Sequence, residues 1–170
     1  MRGDLHTLKE VCRYGSSVML AGEAVIGVVI AALVVLGVLS PFSDGAVDVL
    51  KGFLDADLGD AAAFSATYLA VLAIFVLGFL TVRTVHDVMV SIHSEHSPFT
   101  EGNTVVVMRL SKIYMVGAVL LAVLEAVSSS DPAHATFMLF GCILVSVVLY
   151  IFALMIRYGS VLQNEWDHTL

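Results

Sequence analysis

Three histidines fall in one polar stretch near the middle of the chain, between Arg83 and Lys112. His93 and His96 are three residues apart, and His86 lies seven before His93. On one helix that spacing brings imidazoles together, and Asp87 or Glu95 would complete the shell of a divalent metal. No cysteine stands nearby, and the Ser/His/Pro composition predicts fraying near His93. A solvated helix end accounts for the same residues, so no metal ligand and no cofactor is assigned. A pH-responsive role also fits, because histidine titrates near neutrality.

Glu23 and Glu125 are the two acids inside long apolar stretches. An ionisable group is costly in a bilayer and marks a proton or cation pathway by default. Glu23 lies near one end of its stretch and Glu125 near the opposite side of the membrane, so neither reaches the midplane where transporters place their sites. Hydrogen bonding at the interface or between helices is the expected role of each. They are not expected to pair. Asp44, Asp48, Asp55, Asp57 and Asp60 share a loop with a single Lys51 but lack the Asp-x-Asp-x-Asp-Gly spacing of a calcium loop. That segment reads as a solvated acidic loop. No Ser–His–Asp set, nucleotide-binding glycine loop or zinc-protease motif is present. No catalytic residue is assigned, and a non-enzymatic protein is expected.

The elements that would carry these residues follow from hydropathy. The chain has 170 residues, 59% of them hydrophobic, with a mean hydropathy of +0.95. An ordinary soluble domain is only about half apolar. A helix needs about 20 mostly apolar residues to cross the hydrocarbon core. Four such stretches occur, at about 17–39, 61–82, 109–128 and 135–156. They predict an all-α, four-transmembrane-helix bundle in a single integral membrane domain, 1–170. The net charge of -7 and the lack of clustered Lys and Arg argue against a nucleic-acid surface. Cys12 and Cys142 are expected on opposite sides of the bilayer and not in one disulfide.

Ahead of the first span, residues 1–16 predict a short amphipathic helix with Leu5, Leu8, Val11 and Cys12 near one face. The first span is too long for a signal-peptide core and reads as a retained anchor. Gly27 and Ala31 make a weak small-xxx-small pair, and Ala118, Ala122 and Ala126 a stronger stripe that would serve the bundle or a homo-oligomer. Val47, Leu50, Leu54 and Leu58 recur at helical spacing in the acidic loop and predict an interfacial helix. The second span continues as a helix past Arg83 through Ile92. After the break at Ser97–Thr100, Thr100 is placed to cap the third helix, with Glu101 favourable at its positive end.

Seven of the eight Lys and Arg residues fall on one side: Arg2, Lys9, Arg13, Arg83, Arg109, Lys112 and Arg157. Positive residues in short loops stay inside. Both termini and the Arg83–Lys112 linker are therefore expected in the cytoplasm, in a multi-pass protein of the cell membrane.

Two stretches carry a resemblance. One is Pro98-Phe99-Thr100, then Asn103, then Arg109 leading into the third span. The other is the chain's end, Arg157-Tyr158-Gly159, Leu162-Gln163, Glu165, Asp167 and Thr169. Together they resemble the prokaryotic membrane-protein family called domain of unknown function 2975 (DUF2975). The resemblance covers the whole chain in layout, and the tail is its specific part. The histidine-rich linker, Gly102, Trp166 and His168 depart from the family pattern and inherit no role. The resemblance implies four spans, no established activity, and frequent association with a small helix-turn-helix regulator. A regulatory membrane component acting with such a cytoplasmic partner is the expected function. A small transporter or channel subunit using Glu23 or Glu125 is the alternative.

The tail also has a physical reading. Arg157 and Tyr158 anchor the exit of the fourth helix at the headgroups. Gly159 would relax that helix so that Leu162 and Trp166 turn back onto the membrane or the linker. Glu165 or Asp167 would then pair with Arg83, Arg109 or Lys112, locking the cytoplasmic end or offering a docking surface.

Overall fold

A computed structural model describes residues 2–54, 60–95, 99–128 and 132–169, with side chains over 10–54, 60–94, 99–128 and 132–165. Five helices follow in order: α1 (Arg2–Leu39), α2 (Asp44–Leu54), α3 (Ala61–Glu95), α4 (Glu101–Ser128) and α5 (Pro132–Thr169). All but α2 are long and apolar enough to cross a membrane. The chain is an all-helical, membrane-embedded protein.

Local chemistry explains most boundaries. The Asp60 carboxylate accepts the Ala62 N–H at 3.0 Å, and its carbonyl accepts the Phe64 N–H at 3.1 Å, so Asp60 caps α3. Thr100 caps α4 as expected: its hydroxyl accepts the Asn103 N–H and its carbonyl the Thr104 N–H, both at 3.2 Å. Pro132 occupies the first position of α5, where a missing N–H costs nothing. A helix does form in the acidic loop, as α2, with Ala46 and Leu50 buried. Leu58 lies outside the described residues.

Two expectations fail. The amphipathic helix at the N-terminus is not a separate element, because α1 runs unbroken from Arg2 to Leu39. The serines at its middle do not interrupt it; the Ser16 and Ser17 hydroxyls donate back to the Arg13 carbonyl at 3.0 and 3.2 Å. Nor does α3 fray near His93, since it continues to Glu95.

At 1.5 Å per residue, α3 is about 52 Å long and α5 about 57 Å. The hydrocarbon core is only about 30 Å thick. A third or more of each helix therefore stands outside it. Antiparallel contacts show which ends meet. Gly15 lies under Met89, Gly37 under the Tyr68 ring, and Gly159 under Phe99. Both termini and the α3–α4 linker thus share one end of the molecule.

The helix neighbours run α1–α3–α4–α5 in a row, with α2 resting on α1. Among the described residues, α1 and α5 share no comparable close approach that would close the expected bundle into a ring. The outward faces explain the open arrangement. They carry exposed Val25 and Val28 on α1 and Phe137, Phe140 and Leu144 on α5, side chains at home in lipid.

The α4–α5 seam is the most extensive. Thr104, Val107, Ser111 and Ala118 are buried on α4, and Ser146, Ala153 and Ile156 on α5, while Leu121 packs with Ala70 and Leu77 of α3. The alternation of three- and four-residue steps is that of helices crossing at a shallow angle. At its centre Ser111 donates to the Ser146 carbonyl at 2.9 Å, and Ser146 donates to the Ser111 carbonyl at 2.8 Å. Elsewhere the Thr81 and Tyr114 hydroxyls meet at 2.8 Å between α3 and α4, and Tyr68 donates to the Leu33 carbonyl at 3.0 Å between α3 and α1. The alanine stripe works only in its inner half: Ala118 is fully buried, Ala122 partly, and Ala126 is exposed. The Gly27–Ala31 pair is not a tight contact, since Ala31 is exposed and Gly27 faces Phe79 loosely. In membranes such interhelical hydrogen bonds contribute about 0.6 kcal/mol on average and at most about 1.7. Ser111→Ala and Ser146→Ala should each lower stability by about that amount in thermal unfolding in micelles, and the double variant by less than the sum.

Candidate functional site

A cleft of about 620 Å³ opens at the end that carries the termini. One wall is the start of α4, with Phe99 and Thr100 ahead of it and Thr104, Val105 and Met108 along it. The other is the last part of α5, where Arg157, Ser160, Val161 and Asn164 recur at helical spacing on one face. The two segments that carry the family resemblance therefore form one surface. Glu101 stands at the α4 rim and Gln163 at the α5 rim.

Phe99 holds the walls together. Its ring lies on Gly159 so closely that a Cβ there would sit 2.8 Å from ring carbons Cε1 and Cγ. Glycine is required for contact and not for a break, since α5 continues as a helix to Thr169. This reverses the expected roles. The linker's Phe99 comes to the tail, while Leu162 is exposed and not packed on the linker, and the side chain of Trp166 lies outside the described residues. Arg157 and Tyr158 are exposed. Asn103 is buried behind the cap.

The expected ion pair of Glu165 with Arg83, Arg109 or Lys112 is not found among the described residues. Arg83, Arg109 and Lys112 make no ion pair among the described residues. Register is the reason. Phe99 is level with Gly159 and Ser111 with Ser146, so Arg109 is level with residues near 148. Glu165 lies some 17 residues further along a straight α5, about 25 Å away at 1.5 Å per residue. The side chains of Asp167 and Thr169, and Pro98 altogether, lie outside the described residues.

A second site was not foreseen. His86 Nδ1 on α3 lies 3.4 Å from Glu23 Oε1 on α1. Their side chains are 21% and 17% exposed. The same Glu23 oxygen is buried without a hydrogen bond. Hydrogen bonding at the interface or between helices is the expected role of Glu23; the residue that faces it across α1 and α3 is His86. His86 is in fact turned to Glu23 while His93 is exposed, and His96 lies outside the described residues. No three His, Cys, Asp or Glu side chains gather as a metal site among the described residues. Glu125 is half-buried on α4, apart from Glu23, and makes no ion pair among the described residues. In the acidic loop Asp48 meets Lys51 at 3.8 Å, while Asp55 and Asp57 lie outside the described residues.

Comparison with protein-family models, with curated proteins and with solved structures finds no match for this chain.

Proposed function

We propose that this chain is a non-enzymatic regulatory component of the cell membrane. Its termini face the cytoplasm, and its cleft receives a helix of a soluble partner. One observation carries this reading: the linker and the tail, both outside the apolar spans, build a single cleft around Phe99 and Gly159. Seven of the eight Lys and Arg belong to that half of the molecule, which supports the inside orientation. A helix is about 10 Å across, so the cleft volume suits the side chains of one or two turns. Hydroxyls of Thr100, Thr104 and Ser160 and the Asn164 amide offer hydrogen bonds around the apolar Val105, Met108 and Val161. The resemblance to the family named above favours a small helix-turn-helix regulator as that partner. Coupling follows from continuity: α4 and α5 run without a break from the cleft into the spans. A change of tilt about the serine clasp alters how Phe99 meets Gly159. Asn164→Arg, placed on the cleft wall at an exposed position, should abolish retention of the regulator in native complexes while leaving thermal stability unchanged. Undiminished retention would sink the docking role.

The transport alternative has one supporting observation, the buried and unbonded Glu23 oxygen beside His86. It requires that Glu23→Gln abolish an ion or solute flux in proteoliposomes.

A further inference from the structure

A second concavity of about 430 Å³ runs along the seam between α3 and α4, distinct from the cleft. Its walls are two stripes at helical spacing, with Leu77 and Leu80 on α3 and Val116 and Gly117 on α4. Gly117 gives it depth: a Cβ there would meet Leu77 Cδ1 at 3.2 Å. The lining is almost wholly apolar except at one end, where Arg109 and Lys112 stand. Both are exposed, and neither has an ion-pair partner among the described residues.

We propose that this groove is a binding site for an anionic glycerophospholipid. The phosphate is held by Arg109 and Lys112, and one acyl chain lies along Leu80, Leu77 and Gly117. Length supports a lipid. From Arg109 to Leu120, the far lining residue of α4, is about 16 Å at 1.5 Å per residue. That is one leaflet of a hydrocarbon core about 30 Å thick. Level supports it too. The helix from Arg109 to Ser128 is as long as that core, which brings the two cations to the headgroups. Charge selects the headgroup, because unpaired basic side chains between membrane helices attract anionic lipids. The site is independent of which face of the membrane carries the cleft, and of whether the cleft binds a partner.

The full chain purified in a neutral detergent tests this, with phosphatidylglycerol, phosphatidylcholine and glycerol 3-phosphate as probes. Phosphatidylglycerol should raise the unfolding midpoint and remain bound in native mass spectrometry, and the other two should do neither. The double variant Arg109→Gln/Lys112→Gln should bind phosphatidylglycerol roughly 30-fold more weakly, from about 1 kcal/mol for each lost charge. Arg83→Gln, which removes an exposed charge outside the groove, should bind as the native chain does. Val116→Trp fills the groove from a position 71% exposed and keeps both charges, so it should also weaken binding. Equal stabilisation by phosphatidylcholine would overturn the proposal. So would stabilisation by glycerol 3-phosphate alone, or undiminished phosphatidylglycerol binding in both the double variant and Val116→Trp.

Discussion

Gly159→Leu should destabilise the chain by about 1–3 kcal/mol, the usual penalty for forcing extra carbons into a filled space. For a chain of this size that is roughly a 6 °C fall in the unfolding midpoint. The cause is local. A Cβ added at position 159 would stand 2.8 Å from two Phe99 ring carbons, and a leucine side chain extends further into the same space. The ring is 44% exposed, so it has somewhere to go. Its displacement opens the joint between linker and tail. Two measurements separate this from a general loss of fold. The double variant Phe99→Ala/Gly159→Leu should be no less stable than Phe99→Ala alone, because the clash has been removed. Limited proteolysis should then cut the linker before α4 more readily in Gly159→Leu than in the native chain. A fully additive double variant would mean that the ring and the glycine do not touch.

His86→Leu should be the most damaging change at the α1–α3 seam. It leaves the Glu23 carboxylate, 17% exposed and already with one unbonded oxygen, facing an apolar side chain. A buried polar group stripped of its partner costs about 1–3 kcal/mol, and more when charged. Glu23→Gln removes the charge and keeps an amide that can donate and accept, so its effect should be smaller. The double variant Glu23→Leu/His86→Leu should recover much of the loss, since nothing polar is left to satisfy. Thermal unfolding of the singles and the double forms a mutant cycle, with an expected coupling of about 0.5–3 kcal/mol. A coupling near zero would show that the two side chains act independently.

Much of this molecule was legible from residue types alone. The four spans follow from hydropathy, because a helix that crosses lipid must be apolar along about 20 residues. Thr100 and the start of α4 were legible because capping is a local contact between a hydroxyl and an N–H three residues on. The meeting of linker and tail was legible in outline, since both leave the membrane on one side. Which residues meet was not. Periodicity assigns a side chain to a face but says nothing of how two helices slide past each other. Arg109 and Glu165 are about 25 Å apart in register, whereas Phe99 and Gly159 are level. The approach of His86 to Glu23 is not legible in the sequence for the same reason. Only the α1–α3 register, set by Gly15 under Met89 and Gly37 under Tyr68, brings them together. The serine clasp was missed because Ser111 and Ser146 sit in segments whose other residues explain the helix without them.

The central claim is that the cleft beside Phe99 and Gly159 faces the cytoplasm and holds a helix of a soluble regulator. A photo-crosslinking residue at position 161, on the cleft wall, tests it in living cells. The account predicts an adduct with a small helix-turn-helix protein, lost in Asn164→Arg and reduced in Gly159→Leu. An adduct with that protein that persists unchanged in both variants would contradict the account, and so would crosslinks from position 161 to proteins on the far side of the membrane.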